Sequence, residues 1–229
     1  ALYMIYYMYQ YATQVLEILH PKLIILYPLM MVQHRILEEV CRENGVPVIS
    51  THQGMLPGTL AFDIGGEVGK SLPAVYYKKF LKLPVGTGDL EQAEKVWDYL
   101  YRSKLNRKIQ HKNNSIEYIM QKIDKAKPIV FYAGQNDINS NMVPYTEETQ
   151  KYCSPIFKTS IDAGIYIAEL CKKNKWNFVY KPHPMRIKYE EKSQLPNNTI
   201  YVENGNINDL VDISNVVVTI LSQTNYISL

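Results

Sequence analysis

The segment KPHP, Lys181 to Pro184, sets a histidine between two prolines directly after the apolar run FVY. Proline locks its own φ and restricts the residue before it, so His183 hangs from a constrained backbone. Lys181, His183 and the nearby Arg186 all donate hydrogen bonds and suit phosphate oxygens. A lone histidine more often serves structure; one held rigidly where a strand ends points to a ligand. A second candidate is THQGMLPGTLAFDIGGEVGKS, Thr51 to Ser71, with Gly54, Gly58, Gly65, Gly66 and Gly69. Glycines there let backbone N–H groups come close to a ligand, and His52, Asp63 and Glu67 add titratable groups. GGEVGKS lacks the spacing of the phosphate loop GxxxxGK[ST], and an ordinary Gly-rich turn between domains is the alternative. The third is ILSQTNY, where Ser222 reads as a helix N-cap and Gln223 and Thr224 add amide and hydroxyl groups. Such a terminus suits an anion, or is simply a cap. AGQND, Ala133 to Asp137, is the weakest of the four and offers Gln135. Metal ligands at a recognisable spacing are absent.

The elements that must position these groups alternate. Ala12, Val15, Leu16 and Leu19 follow helical spacing before Pro21, LIIL reads as a buried strand, and Ile36, Leu37, Val40 and Cys41 stripe a helix that Gly45 ends. VPVIS is the next strand. Asp89 is expected to cap a helix whose core face is Ala93, Val96, Trp97 and Leu100, and Ile116, Ile119, Met120 and Ile123 mark another. IVFYAG, FVYK, TIYVE and VVVTIL then read as strands, separated by helices over 160–173 and NDLVDIS. Strands alternating with helices imply parallel sheets, whose ligands bind outside the carboxyl ends of the strands.

The chain has 229 residues, 25 Lys plus Arg against 22 Asp plus Glu, and 46% hydrophobic residues. That is a globular composition, and a net charge of +3 argues against a dedicated nucleic-acid binder. The three cysteines lie far apart with no CxxC pair, which fits a reducing, cytoplasmic compartment. No run approaches the ~20 apolar residues of a membrane span. The opening inside a helix and the stop at SQTNYISL read as a piece of a longer protein. Arg102 to Lys112 is basic with no acid; it suits anionic lipid or a charged acceptor, and suits better the solvated end of a helix.

HQGMLPGT with AFDIGGEVGKS, then VFYAGQND, FVYKPHP and VVVTILSQT, stand in an order that resembles bacterial capsule polysaccharide biosynthesis proteins. These are similar to glycosyltransferases of the GT-B type, including Kdo transferases and, more distantly, sialyl- and polysialyltransferases. The resemblance runs from Leu23 onward, and KPHP is its most specific part. It implies an α/β fold of two Rossmann-like parallel-sheet domains, truncated at both ends. Residues 1–88 would be the C-terminal part of the N-terminal domain, 89–126 a helical linker, and 127–229 an incomplete nucleotide-binding domain. It implies metal-independent transfer from a nucleotide-sugar, CMP-linked among the options, to a growing capsule or other surface polysaccharide or a glycolipid. No cofactor is implied. The setting would be the cytoplasm or the cytoplasmic face of the inner membrane, in contact with that membrane or a capsule-assembly complex. His183 would contact the donor's phosphate, with Ser222 and Thr224 beside it; Gly54, Gln135, Lys181, Arg186 and Gln223 complete the implied donor site. The family often has an acid before the first motif's glycine, whereas this chain has His52 and Gln53. His52 suits the base, since its unperturbed pKa is near ~6.5, with Asp63 or Glu67 as replacements. The alternatives are a nucleotide-sugar 2-epimerase and a non-catalytic glycan-binding or assembly relative.

Overall fold

The structure is a computed structural model that describes residues 2–27, 31–54, 56–66, 70–105, 115–138, 147, 156–185, 192–220, 222 and 224–228. It divides into two compact units, Ala1–Leu90 and Glu91–Leu229.

In the first unit, helix α1 (Leu2–Leu19) leads to strand β1 (Ile24–Leu26), helix α2 (Val32–Glu43) and strand β2 (Val48–Gln53). Gly45 follows α2 with φ of 68°, a left-handed value that glycine adopts without strain. β1 and β2 run parallel, Ile25 opposite Ile49. Ala12 and Leu16 of α1 meet Val40 and Cys41 of α2 in a small core, with Ile24 and Val48 packed against it.

The Gly-rich segment departs from expectation. It contains a strand, β3 (Leu60–Asp63), that returns antiparallel along β2 with Thr51 opposite Phe62. The first sheet, in order β1-β2-β3, is therefore mixed rather than parallel. Gly54 and Gly58 serve the turn. The Gly54 N–H donates to the Thr59 carbonyl at 2.8 Å, and a Cβ on Gly54 would lie 2.1 Å from Thr59 Oγ1. Gly58 has φ of 75°. Two short helices follow, α3 (Leu72–Val75) and α4 (Tyr77–Phe80).

Helix α5 (Thr87–Ser103) spans the boundary between the units. Asp89 is not its cap but its third residue, and its carboxylate accepts the Gly86 N–H at 2.9 Å. That is the return half of a capping box with Gly86 at the cap position. The expected core face is also corrected: α5 buries no residue, and Trp97 instead stacks on Tyr101 with centroids 5.2 Å apart.

The second unit follows its expected pattern. Helix α6 (Ser115–Met120) precedes β4 (Ile129–Ala133), α7 (Ser160–Asn174), β5 (Asn177–Lys181), β6 (Thr199–Tyr201), α8 (Ile207–Asp212), β7 (Val216–Thr219) and α9 (Thr224–Ile227). The sheet order is β6-β5-β4-β7, all parallel. β4 is buried along its whole length, and its residues alternate between two cores. Val130 and Tyr132 join Phe178, Tyr180 and the α7 side chains Ile161, Ala168 and Cys171. Ile129, Phe131 and Ala133 join Val179, Ile200, Ile119 and Leu210 on the other face. Among the described residues, no helix is long and apolar enough to cross a membrane.

Candidate functional site

β4 starts the second sheet, β5 and β6 extend it to one side, and β7 crosses back to the other. That reversal makes a switch point between β4 and β7, where open α/β sheets bind ligands beyond their strand ends. The register is level there, because Ala133 stands opposite both Lys181 and Thr219. The segments carrying Gln135, His183, Ser222 and Thr224 therefore leave one edge of one sheet, with Lys181 as the last residue of β5.

Gly134 extends the ladder beyond β4 by donating its N–H to the Lys181 carbonyl at 2.8 Å. A Cβ on it would lie 2.6 Å from Tyr180 Oη, so the close approach requires glycine. Behind it is a buried polar chain that the sequence reading did not assign. The Gln135 N–H donates to Ser160 Oγ at 2.8 Å, Ser160 Oγ pairs with Tyr132 Oη at 2.8 Å, and Tyr132 Oη donates to the Ser160 carbonyl at 2.9 Å. Asp137, only 2% exposed, accepts the Ser160 N–H at 2.9 Å. Thr159 caps α7 by accepting the Asp162 N–H, and the Asp162 carboxylate accepts the Thr159 N–H in return. The threonine three residues before an acid was the available signal.

This arrangement decides one question of chemistry. A helix N-terminus attracts anions through unpaired N–H groups and the helix dipole. At α7 the chain's own Asp137 supplies that anion. Among the described residues at this edge, Lys181, His183, Ser222 and Thr224 remain as candidate partners for a ligand phosphate.

Two histidines are held in opposite tautomers. His183 Nδ1 accepts the Met185 N–H at 3.2 Å, so its ring proton sits on Nε2, which donates. His52 Nδ1 lies 2.7 Å from the Gln53 carbonyl oxygen, which only accepts. In the neutral ring its proton is therefore on Nδ1, which leaves the lone pair on Nε2. Ser222 Oγ accepts the Thr224 N–H at 3.2 Å and lies 2.9 Å from Thr224 Oγ1, a local turn two residues before the first residue of α9 rather than the expected cap.

His52, Gly54 and Asp63 belong to the first unit. Both Asp63 carboxylate oxygens take backbone N–H groups, from Gly65 at 2.6 Å and Leu72 at 2.9 Å, so this carboxylate pins the Gly-rich segment to the start of α3. The N–H of Gly54 is spent on the hairpin. A cleft of about 190 Å³ beside α2 and β2 is lined by Arg42, Ser50 and Asp63 among others. That is smaller than the ~300–1,000 Å³ of a typical small-molecule pocket. Glu67, Arg186 and Gln223 lie outside the described residues, as does most of the basic stretch ending at Lys112. Among the described residues, no group of three or more His, Cys, Asp and Glu side chains could hold a metal ion.

The solved structure of KpsC from Thermosulfurimonas dismutans, a β-Kdo 2,4 transferase, superposes on 90% of this chain with a TM-score of 0.61 and 16% identity. The likeness is one of fold: α/β, with a mixed three-stranded sheet and a parallel four-stranded one. This chain spans 64% of the KpsC chain. A Listeria monocytogenes protein described as a UDP-N-acetylglucosamine 2-epimerase matches over 96% of this chain and 57% of its own, at a TM-score of 0.32 and 8% identity. That superposition is too loose to bear on the architecture. No protein-family profile and no curated protein sequence matches the chain. The α/β architecture with its parallel second sheet meets the fold expectation in its coarser form, with the mixed first sheet as the correction.

Proposed function

We infer that the chain is a glycosyltransferase that moves a sugar from a nucleotide-sugar to a growing capsule or other surface polysaccharide or glycolipid. The observation that carries this reading is the level strand edge of the second unit. Lys181 and the segments that carry His183, Ser222 and Thr224 leave the sheet there, beside the switch point, which supports a donor site of the GT-B kind. Glycosyl transfer needs the departing nucleotide's phosphate to be stabilised and the acceptor hydroxyl to lose a proton. His183 Nε2–H, the Lys181 ammonium and the two hydroxyls suit the first task, with Arg186, Gln135 and Gln223 as further donors. The Nε2 lone pair of His52 suits the second. Asp63 would then be a positioning residue through its hold on the Gly-rich segment, and Glu67 the replacement base. No step in this reading needs a bound metal.

The test is a thermal-shift screen with CMP-, UDP-, GDP- and TDP-linked sugars, followed by assay of nucleotide release. A ligand at a hundredfold excess over its Kd adds ~2.7 kcal/mol to stability. One nucleotide class should raise Tm, and His183→Ala should abolish that rise. His52→Ala should keep the rise and lower transfer by ~10²-fold or more, as expected when a general base is lost. A rise unaffected by His183→Ala would overturn the site, and binding without any transfer would leave a non-catalytic relative.

A further inference from the structure

The segment Leu72–Leu83 covers itself poorly. From Pro73 through Lys95 every residue is exposed, and Val75, Tyr76, Tyr77, Phe80, Leu81 and Leu83 are each at least 45% accessible. Large apolar side chains left exposed along one short segment suit a docking face. Its charge is one-sided: from Lys70 to Gly88 the sequence has four lysines and no acid. Lys78, Lys79 and Lys82 alternate with the aromatic residues, and Lys79 lies over the Tyr76 ring at 5.0 Å. Leu72, Tyr76, Phe80 and Leu83 follow helical spacing, with Tyr77 and Leu81 on the flank.

We propose that this aromatic and lysine-rich surface of α3 and α4 docks on an anionic lipid bilayer. Three arguments select lipid over protein. Lysine is depleted in the cores of protein interfaces, whereas here it is interleaved with the apolar side chains. A second copy of the same face would set lysine against lysine. At a bilayer, tyrosine sits at headgroup level and lysine stems lie along apolar surface while their ammonium groups reach the phosphates. The segment is distinct from the basic stretch 102–112, and the proposal does not depend on sugar transfer.

Flotation of the purified protein with vesicles tests it. Equimolar phosphatidylcholine and phosphatidylglycerol vesicles should carry the protein upward, pure phosphatidylcholine vesicles should not, and added salt should weaken the binding. The triple variant Lys78→Gln, Lys79→Gln, Lys82→Gln should lower partitioning by about a hundredfold, at roughly fivefold per lysine. Phe80→Ser with Leu81→Ser should also release the protein, by removing the apolar contact alone. A control triple in the second unit, Lys122→Gln, Lys125→Gln, Lys127→Gln, changes the net charge equally and should bind as the parent does. Because every altered side chain is exposed, the melting temperature should hold in all variants. The proposal fails if neither vesicle binds, if both bind alike, or if the control triple loses as much. It also fails if the α4 variants instead dissociate an oligomer of lipid-free protein. None of these outcomes involves a nucleotide, so failure here leaves the transferase reading standing.

Discussion

The two units solve the same packing problem to different degrees. In the second, both faces of the sheet are covered: Tyr132 and Tyr180 go under α7, while Phe131 and Val179 go under α6 and α8. In the first, the register puts Ile25, Phe62 and Leu60 on one face of the sheet, and all three are more than half exposed. Its core is confined to the face that carries α1 and α2. Apolar burial scales with stability, so the second unit should be the more robust. The difference also divides the candidate chemistry. The candidate donor-site residues stand at the strand ends of the doubly covered sheet, and His52 and the Gly-rich hairpin stand on the thinner one.

The largest expected effect breaks this comparison directly. Phe131 is fully buried on β4, which has a strand on either side, and Phe131→Ala should cost ~3–5 kcal/mol as transfer loss plus cavity. Leu16→Ala should fall at the low end of the ~2–5 kcal/mol range for such truncations, because few neighbours surround it. Hydrogen exchange read by peptide mass would separate the units. The amides of β4 and β5 should be the slowest, and Leu16→Ala should speed exchange in β1 and β2 first. Equal protection in both sheets would remove the asymmetry.

Next in size is Asp137. Its carboxylate satisfies the first helical N–H of α7 away from water, so Asp137→Ala should cost about 1.5–3 kcal/mol, the worth of a hydrogen bond to a charged group. The variant also bares the positive end of a well-capped helix. Phosphate should stabilise Asp137→Ala more than it stabilises the parent protein in a melt. If phosphate stabilises both equally, the anion site is elsewhere and Asp137 is not what closes α7.

The same contrast governs what the sequence disclosed. IVFYA, FVYK and VVVT are continuous apolar runs, the signature of strands buried on both faces, and each became a strand of the second sheet. LAFD was hidden because exposed Leu60 and Phe62 alternate with half-buried Ala61 and Asp63, and glycines on either side suggested a loop. In α5 the spacing of Ala93, Val96, Trp97 and Leu100 did mark a helix. Spacing fixes a stripe but not what covers it, and here nothing described does. The edge holding Lys181, His183 and Ser222 was readable because strand ends and prolines are local. The Tyr132–Ser160–Asp137 chain joins residues far apart in sequence and was not. The tautomers of His52 and His183 depend on single backbone contacts, which composition does not encode.

Gly54→Ala probes the hairpin of the first unit. Its new methyl must displace Thr59 Oγ1 from 2.1 Å, with an expected cost of ~1–3 kcal/mol, the usual range for overpacking. Gly54→Ala with Thr59→Ser removes only a methyl near the clash and should recover little. Gly54→Ala with Thr59→Gly should recover most of the loss. The second sheet's exchange should not respond to any of these changes.

The smallest effect concerns the two thiols buried among the described residues, one in each unit. Burial pushes Cys171 up from an ordinary value of 9.0 to about 11. Cys41 is also raised, first by burial and then by the Glu38 carboxylate. A thiol whose folded pKa is raised favours folding fully below the unfolded value, near ~8.5, and loses that contribution as pH climbs through the folded one. For Cys171, stability should therefore fall between pH ~8.5 and about 11 with a slope of at most ~1.4 kcal/mol per pH unit, and the contribution of Cys41 runs in the same direction. Cys171→Ala should flatten that slope while leaving its value at pH 7 set by packing alone. In a Cys153→Ser background, labelling with a thiol reagent in mild urea then ranks the units. Opening governs access to both sulfurs, so Cys41 should react before Cys171. The reverse order would place the weaker unit on the side of the candidate donor site.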